Sequence, residues 1–254
     1  MKKQNQSRKL EKAAQRGEPS YVWRAGQQRR LDMIRQWGSE GLRGMVLENG
    51  CGVGEYLSRL AEEARLAVGM DIEFSRLLDA KKKTPNVVCA AGEHLPFDRN
   101  LFDLILSNEV FEHVQDDHEA AAEISRTLVR GGKLILFCPN RGYPFETHGV
   151  YWRENYHFGN IPLVNYLPSK WRNKLAPHVR AYTRRSLNQL FQCHPLEIIH
   201  RSIIFGGYDN IIQSKPSLGK FMRAVLQFLE KTPLRIFGLS HFWVVQKSEA
   251  ESQD

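Results

Sequence analysis

Three closely spaced glycines, two carboxylates and a set of histidines are the residues whose types and spacing could do chemistry in this 254-residue chain. In MVLENGCGVGEY (45–56) an apolar run leads into Gly50, Gly52 and Gly54. Glycines after a strand permit a tight turn and let a ligand approach backbone that carries no Cβ. Asp71 ends a second apolar run, 17 residues beyond Gly54. A carboxylate at that strand end can accept both hydroxyl hydrogens of a ribose. A pyrophosphate-binding GxGxxG is broken by Glu55, and no GxxxxGK[ST] occurs. Glu48, just ahead of the turn, suits an ammonium group. The turn therefore favours a nucleoside carrying positive charge over one carrying phosphate. Of nine histidines, His113 follows the fourth apolar run, while His148 and His157 lie among Tyr151, Trp152 and Tyr156 in FETHGVYWRENYHFGN. Aromatic rings around a few polar groups make a plausible binding pocket.

These residues need a scaffold, and the pattern predicts a doubly wound α/β sheet with helices on both faces. Candidate strands are 45–49, 66–71, 86–90, 102–108 and 133–139, with helices over 54–64, 73–82 and 117–129 between them. The strands are apolar on both faces, as expected for burial between helix layers. Gly131 and Gly132 are expected to separate the last of these helices from the fifth strand. After Asn140 come about 40 residues rich in Pro, Gly, Tyr, His, Trp and Asn with no regular pattern, which suggests a lid or binding loop. A helix capped by Thr183 (183–192) and strands near 196–205 and 242–246 complete the sheet. Ahead of it, Leu31, Ile34 and Trp37 recur at helical spacing and Gly38 offers a stop.

The expected organisation is a basic arm and N-terminal cover helix (1–38), one main domain (39–247) and a polar tail (248–254). Two inserts interrupt the domain, a lid over the candidate pocket at about 141–180 and an amphipathic segment at 207–235. In the second, Leu218, Phe221, Met222, Val225, Leu226 and Leu229 form one stripe, most simply read as core packing, with membrane-surface or partner contact as the alternative.

At 42% hydrophobic and 25% charged the chain is a globular protein rather than a disordered or collagen-like one. No apolar run is long enough to cross a bilayer, and the N-terminus lacks the apolar segment of a secretory signal, so a cytoplasmic setting is expected. Cys51, Cys89, Cys138 and Cys193 have no paired metal or redox spacing and read as free thiols. No metal site is expected. The net charge of +8 is uneven: residues 1–30 carry nine Lys or Arg against two Glu, residues 31–140 sum to −6, and residues 141–240 hold 14 basic and 5 acidic side chains. Such flanks could attract nucleic acid, an anionic membrane or an acidic substrate.

Four stretches in order, VLENGCGVG (46–54), VGMDI (68–72), GEHLPFDRNLFDLILSNEVFEHV (92–114) and RTLVRGGKLILFCPN (126–140), closely resemble the class I S-adenosylmethionine-dependent methyltransferases, particularly the broad group acting on small molecules. The likeness covers about residues 40–205 and 236–247. It implies a Rossmann-like, seven-stranded, mostly parallel sheet and S-adenosyl-L-methionine as cofactor. It assigns the methionine part of that cofactor to Glu48, Gly50 and Gly52, with Asn49, Cys51 and Gly54 in the same turn, the ribose to Asp71, and the adenine face to Ile72. Where the family usually has an Asp for the adenine amino group this chain has Ala91, which leaves Gly92 or Glu93. Asn108 and Glu109, at the end of the fourth strand, are expected to line the cofactor site. Tyr21 and Arg24 resemble an N-terminal cover, Arg24 being a candidate partner for the cofactor carboxylate.

A sulfonium methyl group is already activated, so such a protein must chiefly align the acceptor. A hydroxyl or ammonium acceptor must still lose a proton, which makes His148, His157 and His113 the candidate catalytic residues. The expected function is methyl transfer to a small organic acceptor, lipid-like if the stripe at 218–229 meets a membrane. An RNA or DNA methyltransferase using the basic flanks, less favoured because SNEVFEH lacks an Asn/Asp-Pro-Pro-Tyr sequence, and a non-catalytic protein of the same fold are the alternatives.

Overall fold

A computed structural model describes residues 22–153 and 155–249. Tyr21, most of the basic arm and the end of the polar tail lie outside the described residues. Seven strands form one sheet: β1 (Met45–Asn49), β2 (Leu66–Asp71), β3 (Val87–Cys89), β4 (Phe102–Asn108), β5 (Leu128–Pro139), β10 (Leu196–Ile204) and β11 (Ser240–Lys247), in the order β10-β11-β5-β4-β1-β2-β3. Strands β1 to β5 pair in parallel, and β11 runs antiparallel to both β5 and β10. From β1 the chain winds to β2 and β3 on one side and to β4 and β5 on the other. A crevice opens outside the carboxyl ends of strands where the winding direction reverses.

Alternation along β1 fills both faces of the sheet. Val46 joins Leu31 and Ile34 of helix α1 (Ala25–Gly38) on one face. Leu47 joins Ile124 of α4 (Asp117–Thr127) and Leu187 of α6 (Arg184–Gln192) on the other. The short helices α2 (Glu55–Leu60) and α3 (Phe74–Ala80) follow β1 and β2. Asp116 caps α4 by accepting from the His118 and Glu119 amides, and Thr183 caps α6 by accepting from the Ser186 amide.

Three features differ from the sequence reading. Gly131 and Gly132 do not separate helix from strand: β5 begins at Leu128, and the pairing passes from Phe102↔Leu128 to Leu104↔Lys133, so the extra residues bulge out with Gly131 at φ 73°. The first insert is not structureless. It contains the ribbon of β6 (Phe145–Glu146) with β9 (Ile161–Pro162), the ribbon of β7 (Val150–Trp152) with β8 (Asn155–His157), and helix α5 (Ser169–Leu175). In the second insert, helices α7 (Asp209–Ser214) and α8 (Pro216–Leu229) pack closely where Gly219 meets the Ile212 backbone. The stripe on α8 is only half packed: Met222, Leu226 and Leu229 are partly buried, while Leu218, Phe221 and Val225, with neighbouring Phe228, stay exposed, Phe221 by 69%. No helix among the described residues is long and apolar enough to cross a membrane.

Candidate active site

At the end of β1 the backbone turns through Gly50, Gly52 and Gly54, with φ of 79°, 52° and 77°. A Cβ at Gly50 would come within 2.2 Å of a Val110 methyl, so glycine is required there by both dihedral and space. Met70 O accepts the Gly50 and Cys51 amides, each at 2.8 Å, which fastens the turn to β2. Asp71 closes the other side: one carboxylate oxygen accepts the Gly52 amide and the other the Glu73 amide, both at 2.8 Å. Its remaining lone pairs can still receive ligand hydroxyls.

Glu48 and Asn49 are 3% and 1% exposed. Yet Glu48 Oε2 and both amide atoms of Asn49 have no hydrogen-bond partner. Burial, together with the Asp71 and Glu55 charges, pushes the Glu48 carboxyl well above the usual carboxylate range. A buried carboxyl without a counter-ion and a buried amide without partners are costly unless a ligand completes them. An ammonium-bearing nucleoside would do so, and the residues therefore fit S-adenosylmethionine.

The site continues into a cavity of about 1490 Å³ whose wall includes Glu48 to Val53, Asp71, Ile72, Ala91 to His94, Asn108, Glu109, Glu112, His113 and His148. The sheet edge thus brings most of the predicted site residues together. Arg30, from α1, reaches across to Asn108 Oδ1 (2.5 Å) and Glu109 Oε1 (2.7 Å). Its guanidinium also lies 4.8 Å from the Phe137 ring centroid. Although burial opposes ionisation, Arg30 holds Glu109 below the usual carboxylate range. Glu93 Oε1 is occupied by the Gln115 amide at 2.5 Å, so Glu93 braces the turn below α4.

On the far wall His148 is built from beneath. Its Nδ1 and backbone amide lie 3.3 and 3.1 Å from Glu146 Oε1, while Arg172 donates to Glu146 Oε2 at 2.6 Å. Burial opposes charge on Glu146, but the His148 hydrogen bond and Arg172 hold it ionised. Arg172 also donates to Val179 O at 2.7 Å, and Tyr156 and His178 reach His148 O at 2.5 and 3.2 Å. The His113 ring lies edge-on to His148 at 5.2 Å. Burial and the neighbouring His148 push His113 down to about 3, so it is neutral and a weak proton acceptor.

Three predicted residues fall elsewhere. His157 is exposed and off the cavity wall, because alternation along β8 turns Tyr156 inward and His157 outward. Arg24 is exposed at the start of α1, where its amide donates to Gln27 Oε1 at 2.9 Å, and it does not line the cavity. Gly54 also stands off the wall and packs on Ala80, a Cβ there coming within 3.1 Å of the Ala80 backbone. The sequence reading missed Arg30, Glu112, Glu146 and Arg172. Arg30 precedes the buried Ile34 by one helical turn, a spacing that could have nominated it over Arg24.

A family model described as a methyltransferase domain matches residues 47–136. Among solved structures, the S-adenosylmethionine-dependent methyltransferase from Mesorhizobium loti superposes with a TM-score of 0.61 at 16% identity, over 87% of this chain and 98% of that one. A probable S-adenosylmethionine-dependent methyltransferase of Mycolicibacterium smegmatis is 31% identical over 98 residues, 38% of each chain. This chain carries a class I S-adenosylmethionine-dependent methyltransferase domain. The methyltransferase domain is also 29% identical, over 115 residues, to a demethylmenaquinone methyltransferase of Corynebacterium urealyticum, covering 45% of this chain and 47% of the relative. The matches to these relatives span less than half of the relatives' own length, and the family-model match runs from β1 into β5, ahead of both inserts.

Proposed function

We propose that the protein transfers the methyl group of S-adenosylmethionine to a small organic acceptor held beneath residues 141–180. One observation carries this: Glu48 Oε2 and the Asn49 side-chain amide, buried without hydrogen-bond partners, belong to residues lining the same cavity as His113 and His148. Its volume of about 1490 Å³ exceeds the ~300–1,000 Å³ of ordinary ligand pockets, enough for donor and acceptor together. When bound, S-adenosylmethionine supplies a methyl group already activated by the positive sulfur. The chain's own residues do the rest. Glu48 would pair with the ammonium, Asp71 would accept the ribose hydroxyls, and the glycine turn would leave room for the ligand against the backbone. Ile72, half exposed at the rim, offers an apolar face to the adenine. Arg30 fixes Asn108 and Glu109 as the inner wall, and the Glu146–Arg172 pair fixes His148 on the acceptor side. Alignment of this kind can supply much of the rate.

A lipid-like acceptor is favoured within that class by the surface of α8. Leu218, Phe221, Val225 and Phe228 stand exposed on one helical face beside exposed Lys215, Lys220, Lys231 and Arg235. Apolar side chains with flanking cations suit an anionic membrane surface. The relative from Corynebacterium urealyticum, by its name, methylates demethylmenaquinone.

Incubation with methyl-labelled S-adenosylmethionine and fractionated cell extract tests both readings. Label in a lipid fraction supports the membrane-facing one, and label in a water-soluble metabolite supports the broader one alone. Label confined to nucleic acid, or no transfer to any fraction, overturns the proposal. Replacement of His148 by Ala is expected to lower transfer at least tenfold while leaving donor affinity unchanged.

A further inference from the structure

The acceptor side of the cavity holds three groups whose arrangement the methyl donor does not explain. Glu112, His113 and His148 each present a ligand-capable atom, and these atoms lie within 4.8 Å of one another. Glu112 is 1% exposed, and neither of its carboxylate oxygens has a hydrogen-bond partner. His113 Nδ1 is likewise buried and unpartnered, while Glu112 Oε1 stands 4.0 Å from His113 Nε2. Tyr182 and Arg180 hold the backbone on which they sit: Tyr182 Oη donates to Phe111 O at 2.8 Å, and the Arg180 amide donates to Glu112 O at 3.0 Å.

We propose that Glu112, His113 and His148 form a binding site for a divalent first-row transition-metal cation in the acceptor half of the cavity. This deepens the methyltransfer reading and rests on it only for the role of the site. Two imidazoles and one carboxylate are a donor set suited to zinc, iron or cobalt rather than to magnesium or calcium, which prefer oxygen alone. Metal–ligand bonds of roughly 2.0–2.2 Å require the three side chains to draw together by about 1 Å. His148 is supported for the task. Its Nδ1 faces the Glu146 carboxylate at 3.3 Å, and Arg172 holds that carboxylate in turn, which leaves Nε2 for the ion. A ligating histidine backed by a carboxylate is the usual outer-shell arrangement at metal sites. Three protein ligands leave at least one coordination position open to the cavity. An acceptor hydroxyl bound there would ionise more readily, its proton passing to solvent water.

The test uses the untagged full chain after chelator treatment. Calorimetry with Zn²⁺ is expected to give one equivalent bound, and Co²⁺ is expected to give visible absorption without a near-ultraviolet thiolate band. Glu112→Gln and His113→Ala should each weaken Zn²⁺ binding at least tenfold, and Glu146→Gln about tenfold through the outer shell. Binding of S-adenosylmethionine, measured separately, should survive in all three, which also reports that the variants fold. If a variant does not fold, the Co²⁺ spectrum of the parent protein decides. No metal binding by the parent protein, a thiolate-to-cobalt band placing the ion on cysteine, or equal affinity in folded variants would overturn the proposal. Failure of S-adenosylmethionine binding with metal binding intact would instead remove the methyl-donor reading.

Discussion

Glu48 concentrates a conflict between folding and binding in a single side chain. Its carboxyl is buried with no cation among its hydrogen-bond partners, and its pKa in the fold stands well above the ordinary 4.5. As pH rises past that ordinary value, the unfolded chain releases the proton while the folded chain retains it, so the fold loses stability until pH passes the raised value. Glu48→Gln removes the effect. The variant should be more stable than the parent at pH 7 by on the order of 1 kcal/mol, with the gain vanishing below about pH 4.5 in thermal melts across pH. The same change deprives an ammonium of its partner, and calorimetry should register S-adenosylmethionine affinity at least tenfold weaker. An equal or lower melting temperature at pH 7 would contradict the account. The sequence discloses Glu48 and Asp71 because strand ends and a glycine turn fix where their side chains stand. It does not disclose Arg30, whose reach to Glu109 depends on how α1 crosses the sheet, nor Glu112, which reads like any acid in an acidic turn.

At the scale of elements, the first insert owes its form to a buried ion pair. Arg172 of α5 and Glu146 of β6 are both 2% exposed, and Arg172 is further engaged by Asn165 and Val179 O. Removing one member of such a pair strands the other charge and costs about 3–5 kcal/mol. Arg172→Met should therefore raise hydrogen exchange across residues 141–180 and abolish methyl transfer. Exchange in β1 and β4 should be unchanged, since neither strand belongs to the pair's surroundings. Strands β1, β2 and β4 follow the boundaries their apolar runs suggest, because burial on both faces leaves an unbroken signal. The insert hides its ribbons for the opposite reason. Its strands are two or three residues long and pair only with one another, too short for any periodicity to reveal them. The stripe on α8 is plain in the sequence, but periodicity alone cannot tell a face that meets protein from one that meets solvent.

For the whole molecule, the sheet topology sends both inserts out from one edge. The first leaves the end of β5, and the second joins the end of β10 to the start of β11, the same edge at which β1 and β2 carry the glycine turn and Asp71. The insert that carries the exposed α8 stripe thus leaves and rejoins the sheet at the cavity-bearing edge. Flotation with vesicles containing anionic lipid should carry the full chain upward, and the double variant Phe221→Asp, Phe228→Asp should stay at the bottom. Added salt should weaken the parent's association, as expected where lysines contribute. Equal flotation of parent and variant would assign any binding to the basic N-terminal residues instead.

The bulge at Gly131 marks the other end of the sheet, where β4 and β5 come out of step before the bonding resumes at Lys133. Gln246 Nε2 donates to Gly131 O and Lys247 Nζ to Leu128 O, so the last strand staples the loop from across β5. That staple lies opposite the cavity-bearing rim, and its consequence is a place to handle the protein without touching the candidate site. A fluorophore or surface tether attached near residues 130–131 would report on or immobilise the protein while leaving the mouth unobstructed.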